Sequence, residues 1–153
     1  MFDHLEAARW AISASVRSPC RSKRGVVIFD AKGLISDGWN YQPEPFVCDG
    51  SARCKSTCGR TAIHAEQVAI LQAAMRGRGC LFPGACLLHV KAVKGRLVPS
   101  GPPSCLECSK LILAAGLAAV WLYHEGGWRA YNSAEFHRLS AESHGIQLLE
   151  KTC

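Results

Sequence analysis

Apolar positions recur at helical spacing over residues 3–17, where Leu5, Ala8, Ile12 and Val16 share one face, and predict an amphipathic helix. The continuous apolar run at 25–29 predicts a buried strand. Residues 30–33 form a turn and 34–39 its hairpin partner. From 41 to 60 the period disappears among prolines, glycines and three cysteines. That predicts a loop, and a loop so long inside a compact domain needs a clip such as a bound metal. The helical period returns at 62–76, with Gly77 as its stop. A strand at 86–90, a turn at Lys94–Gly95, a helix at 106–115 closed by Gly116 and a strand at 120–123 follow. A helix at 133–143 and a last short strand at 146–149 complete the pattern. Helices alternating with strands in the second half predict parallel pairing with helices on both faces, an α/β/α sandwich.

The chain of 153 residues suits one domain, 1–153, with a sizeable core, and its 48% apolar and 20% charged residues are ordinary for a globular protein. No window approaches the roughly 18 uninterrupted apolar residues of a membrane span. The acidic start, Asp3 and Glu6, is unlike a secretory signal, so the expected location is cytoplasmic, with no membrane partner. The net charge of +6 is scattered: Arg21, Lys23 and Arg24, then Arg76 and Arg78, then Lys91, Lys94 and Arg96. It suits an anionic small molecule, tolerates nucleic acid, and equally describes a solvated surface.

Nine cysteines are many for this length. In a cytoplasmic chain, clustered cysteines are more often metal ligands than disulfides. Cys48, Cys54 and Cys58 form one run and Cys105 and Cys108 another, while Cys80, Cys86 and Cys153 stand apart as core residues or stray thiols. After Pro102-Pro103, Ser104 fits a helix N-cap and Glu107 its N3 partner. Cys105 and Cys108 then share a face in the first turn, where the helix end favours thiolates. Two thiolates there make half of a tetrahedral zinc site, although an isolated C-x-x-C also fits a redox pair or chance. Thr61 can cap the earlier helix, bringing His64 and Glu66 into its first two turns. His64 supplies a third ligand. Three protein ligands leave one position open, the mark of a catalytic zinc, and Glu66 can reach in beside it.

H-x-E followed by P-C-x-x-C is the pattern of the cytidine and deoxycytidylate deaminase superfamily, which this sequence resembles through His64, Glu66, Cys105 and Cys108. The resemblance implies a zinc on His64, Cys105 and Cys108, which brings the pKa of its water to around 7. It makes Glu66 the group that carries the water proton to the ring nitrogen and then to departing ammonia. Also implied are a three-layer sandwich around a mixed five-stranded sheet and a homo-oligomer. One departure is visible: Ser104 separates Pro103 from Cys105.

Within the superfamily the chain is most similar to the deoxycytidylate (dCMP) deaminases, from about residue 20 to 149. Gly38-Trp39-Asn40 stands where that group has Gly-Tyr-Asn, which implies that Asn40 contacts substrate. Tyr41-Gln42-Pro43-Glu44 replaces the glycines of that group's regulatory loop. Some members carry a second, structural zinc; the resemblance places ligands at Cys20, Cys54 and Cys58, and Cys48 of the same run completes a closed four-cysteine site. Trp39, Tyr41, Trp121, Tyr123 and Trp128 are candidates for stacking on a base. His4, His89, His124, His137 and His144 read as surface or core residues. The expected reaction is dCMP to dUMP. The alternatives are another base, nucleoside or pterin-like ring, single-stranded nucleic acid, or a zinc-stabilised binding module without catalysis.

Overall fold

Asp3 opens the first helix by accepting the backbone N–H groups of Leu5 and Glu6, both at 2.9 Å. In the computed structural model, which describes residues 1–149, this helix (α1) spans His4–Val16. Cys153 lies outside the described residues. Ala7, Ala8, Ala11 and Ala14 form the buried face of α1. Those small side chains let α1 rest directly on the next strand, β1 (Lys23–Asp30): a Cβ on Gly25 would stand 1.9 Å from the Ala11 carbonyl oxygen. Asp30 then turns the chain, accepting the N–H groups of Lys32 and Gly33, and β2 (Gly33–Trp39) returns antiparallel to β1.

The sheet is completed by β3 (Cys86–Val93), the short β4 (Arg96–Val98), β5 (Ala119–His124) and β6 (Gly127–Asn132). Its order is β2-β1-β3-β5-β6, with β4 beside β3. Only β3 and β5 pair in parallel; the other pairs are antiparallel. The expected parallel pairing is therefore limited to one junction. The fifth position belongs to β6, which the sequence reading did not expect. The expected strand at 146–149 is absent: Gly145 takes φ +71° and the Ile146 N–H turns back onto Ala141 O, closing the last helix, while Leu149 is fully exposed.

Helices α2 (Ala52–Thr61), α3 (Ala65–Met75), α4 (Leu106–Ala114) and α5 (Ser133–Glu142) complete the described elements, with a 3₁₀ turn at Gly79–Leu81. Alternation along the strands divides the core. Val27, Phe29, Leu88 and Val90 pack under α1 on one face. Val26, Ile28, Leu87, Val120 and Leu122 pack under α3, α4 and α5 on the other. The result is the expected three-layer α/β/α arrangement around a mixed sheet. Among the described residues, no helix is long and apolar enough to cross a membrane.

Helix starts before the fourth strand differ from the sequence expectation at two places. Ser51, whose Oγ accepts from the Cys54 N–H at 3.1 Å, starts a helix inside the expected 41–60 loop. Its outward face is polar, so apolar spacing gave no sign of it. Thr61 ends α2, and the expected helix 62–76 begins later, because Ala62 and His64 are extended (ψ 143° and 152°).

Candidate active site and metal centres

Two helix N-termini meet at one end of the sheet. Gly38 lets α3 press onto β2: a Cβ there would lie 2.5 Å from Ala65 O and 2.6 Å from Ala69 N. Ser36 Oγ adds a hydrogen bond to Ala69 O at 2.8 Å. Just upstream, the backbones of Ile63 and Tyr41 pair in both directions, at 2.8 and 3.2 Å. Between these anchors His64 is the N-cap of α3, and its backbone N–H donates to Gln67 Oε1 at 2.9 Å. The opposing helix begins at Cys105, which is its N-cap; its Sγ accepts from the Cys108 N–H at 3.4 Å. Ser104, expected as the cap, instead offers its carbonyl to the His144 ring N–H at 2.8 Å, and Glu107 pairs with Lys110. A sulfur at the cap can serve the backbone and a metal from one position, which a serine hydroxyl there would not.

These helix starts bring His64 Nδ1 to 3.2 Å from Cys108 Sγ and 3.3 Å from Cys105 Sγ. All three donor atoms lie within 4.8 Å of one another. A tetrahedral zinc with the usual bond lengths needs N–S separations of about 3.6 Å. The site is thus shaped and composed for zinc: one imidazole, two sulfurs and a side left open toward a cavity. The electrostatics suit a cation. Cys105 is driven down to about 5, first by the Cys108 thiol that donates to it. His64 is held up at about 9, first by Cys105. Cys108, fully buried, is pushed upward by sharing a proton with Cys105 and by burial.

Glu66 sits in the first turn of α3, with its side chain 13% exposed and its charge felt by both cysteines. Its Oε1 lies 3.9 Å from Nε2 of His89 on β3. His89 is 9% exposed, and its Nδ1 has no hydrogen-bond partner among the described residues. By sequence alone His89 reads as a surface or core residue. The missed signal is its place in an otherwise apolar strand, two residues before Lys91. A cavity of about 740 Å³ holds His64, Glu66, Cys105, His89, Arg24 and Lys91 along its wall.

Asn40 also borders the cavity. Its Oδ1 accepts from Ser18 Oγ at 2.9 Å and from the Arg24 N–H at 2.8 Å, and its Nδ2 donates to Ser22 O at 2.8 Å. Most of its polar capacity therefore ties the start of β1 to the end of β2. The aromatic candidates do not line this cavity. Trp121 and Trp128 lie on the α1 face, where His4 stacks on Trp121 at 4.6 Å, and Tyr123 packs against Trp128. Trp39 carries the Arg17 guanidinium 4.0 Å above its ring, and Tyr41 is the partner of Ile63. Phe136 of α5 is the aromatic ring on the wall.

The second cysteine group assembles beside the same cavity. The sulfurs of Cys20, Cys48 and Cys58 lie within 4.8 Å of one another; Cys54, the fourth expected ligand, falls outside that group of three, although its Sγ is 3.1 Å from Cys48 Sγ. Cys54 and Cys58 stand one turn apart on α2, and Cys20, 3% exposed, reaches in from the segment before β1. The Cys48–Cys58 separation of 3.8 Å equals an edge of a tetrahedral ZnS₄ centre, about 3.8 Å. Cys48 is lowered to about 7, chiefly by the thiol of Cys54, while burial raises Cys20 and Cys58. The donor set fits zinc.

Comparison with known proteins agrees with this geometry. Residues 2–124 match the family model of the cytidine and deoxycytidylate deaminase zinc-binding region. A dCMP deaminase from the cyanophage S-TIM5 is similar in fold, with 22% identity, 78% of this chain and 82% of that chain covered and a TM-score of 0.54. A cytidine deaminase from Burkholderia pseudomallei shares 19% identity, with 88% and 96% covered and a TM-score of 0.63. A cytidine deaminase from Mycobacterium leprae shares 17% identity, with 85% and 94% covered and a TM-score of 0.55. No curated protein matches the chain in sequence. With the matched region spanning most of its length, the chain belongs to the cytidine and deoxycytidylate deaminase family, whose members are zinc-dependent hydrolases.

Proposed function

We propose that this chain, as a single deaminase domain over 1–153, converts dCMP to dUMP in the cytoplasm. The observation that carries the reading is the convergence of His64 Nδ1, Cys105 Sγ and Cys108 Sγ on the wall of a cavity that also holds Glu66. The similar cyanophage dCMP deaminase has been solved with dCMP and dUMP. The cavity is roomy enough for a nucleotide.

His64, Cys105 and Cys108 would hold the catalytic zinc, which when bound would supply Lewis-acid activation of the attacking water near neutral pH. Glu66 takes a proton from the attacking water and gives it to the pyrimidine ring nitrogen. The C4–O bond forms. Glu66 then takes the proton of the new C4–OH and delivers it to the exocyclic nitrogen, the C4–N bond breaks, C4=O forms and ammonia leaves. Water is consumed and ammonia released, with no redox change. The largely buried position of Glu66 limits exchange of that proton with bulk solvent. Asn40 holds the floor at Arg24, and one N–H of its amide stays available to a sugar hydroxyl. Cys20, Cys48, Cys54 and Cys58 hold a second, structural zinc that pins α2 beside the cavity.

The reading includes a homo-oligomer. Leu71 and Met75 on α3 and Leu111 and Leu113 on α4 are exposed apolar side chains of the outer helical layer, which a second copy would cover.

Ammonia release from the zinc-loaded protein tests the substrate. The panel comprises cytosine, cytidine, deoxycytidine and their monophosphates, adenine and guanine compounds, and a single-stranded oligonucleotide. Release from dCMP above all others is expected. Release from another compound moves the substrate, and release from none contradicts the reading.

A further inference from the structure

On the face of the sheet below α3 and α4, polarity rises in steps along the strands. Ile28, Leu87 and Val120 form a wholly apolar row. Two residues on, Val26, His89 and Leu122 form a row with one polar member. Two residues further, Arg24 on β1 stands directly opposite Lys91 on β3. Alternation keeps Arg24 on the face of Val26 and Lys91 on the face of His89, and both line the cavity. Like charges directly opposite across a strand pair are unfavourable. Among the described residues the ion pairs within 4.0 Å involve other side chains, so neither cation is neutralised locally. Glu66 is the acid whose charge reaches Arg24, and its carboxylate is committed to proton transfer. Asn40 Oδ1, bound to the Arg24 N–H at 2.8 Å, fixes the backbone from which that guanidinium projects. On the same wall His89, two residues before Lys91 on β3, has a buried Nδ1 without a hydrogen-bond partner among the described residues.

We infer that Arg24 and Lys91 form an anion subsite that receives the 5′-phosphate of the substrate, with His89 contacting the nucleotide between that phosphate and the reacting ring. The inference rests on the nucleotide reading above and deepens it by assigning the side chains that receive the phosphate. The two rows are two strand residues apart, about 7 Å along the strand. That separates phosphate from catalytic centre while keeping both within one small molecule. Burial lowers the pKa of the Arg24 guanidinium, which marks a cation partly stripped of water and ready for a charged partner. An arginine supplies a planar fork to phosphate and a lysine a point charge.

The test is equilibrium binding of dCMP and of deoxycytidine to the zinc-loaded Glu66→Gln protein, alone and combined with Arg24→Gln or Lys91→Gln. Zinc content serves as the check on folding. In the Glu66→Gln parent the phosphate is expected to tighten binding about 10- to 100-fold. Either second substitution is expected to remove most of that ratio. Restoration of part of it by Arg24→Lys would mark a charge effect and not a packing defect. Equal affinity of the parent for both compounds, or a ratio that survives both substitutions, overturns the inference while leaving a cytosine deaminase intact. Binding of neither compound contradicts the cytosine reading itself. The subsite is then read with inorganic phosphate: binding that Arg24→Gln abolishes upholds it, and no phosphate binding overturns it.

Discussion

His64 Nδ1 and Cys105 Sγ lie 3.3 Å apart although 41 residues separate them, and each is the N-cap of its helix. Both proposed ligands are thus set by backbone that is already committed to starting a helix. The Cys105 sulfur is at once a proposed ligand and the acceptor of the Cys108 N–H. Cys105→Ser and Cys108→Ser are expected to weaken zinc binding by more than about 100-fold. Both should lower thermal stability in zinc but far less in chelator. Metal analysis after dialysis, with melting curves in both conditions, checks this. Full zinc retention by either variant would contradict the ligand assignment.

The Cys20, Cys48, Cys54 and Cys58 group predicts about two zinc ions per chain, one at each centre. Cys48→Ser should lower that to about one while the remaining zinc stays with His64. Cys48 is the sensitive position because its sulfur contacts both Cys54 and Cys58. Loss of the second zinc should increase hydrogen exchange across α2 first. A wild-type stoichiometry of one, unchanged in Cys48→Ser, would leave this cluster as free thiols.

Gly38→Ala tests the seating of α3. The new Cβ would strike Ala65 O at 2.5 Å and Ala69 N at 2.6 Å, both backbone atoms that no rotamer can move. A cost of about 3 kcal/mol in urea unfolding is expected. Zinc affinity should fall as well, since the helix that carries His64 and Glu66 must shift. An unchanged unfolding midpoint would contradict the close approach of α3 to β2.

The exposed apolar side chains of α3 and α4 predict association. A Leu71→Lys, Leu111→Lys double variant should sediment as a smaller species than wild type at equal concentration. Identical sedimentation of the two would remove this face from the interface.

The sequence made the chemistry more legible than the path of the chain. His64, Glu66, Cys105 and Cys108 carry their meaning in residue type and spacing, so their convergence could be expected without knowing where the helices start. The starts themselves differ from expectation at Thr61 and Ser104, because hydroxyl side chains are the usual caps and the caps here are His64 and Cys105. β6 was missed and 146–149 was assigned a strand for one reason. A glycine-bounded hairpin with one inward ring, Tyr131, gives a weak apolar signal, whereas Ile146, Leu148 and Leu149 give a strong one. His89 and the Arg24–Lys91 pair were invisible because cross-strand register is not written in local spacing.

The most direct test of the account compares the wild type with Glu66→Gln on dCMP, with zinc measured in the same samples. The account predicts equal zinc at the catalytic centre, and dUMP formation slowed by about 10²- to 10⁴-fold in the variant. Undiminished turnover by Glu66→Gln, or a wild type that holds its zinc and leaves dCMP untouched, would contradict it.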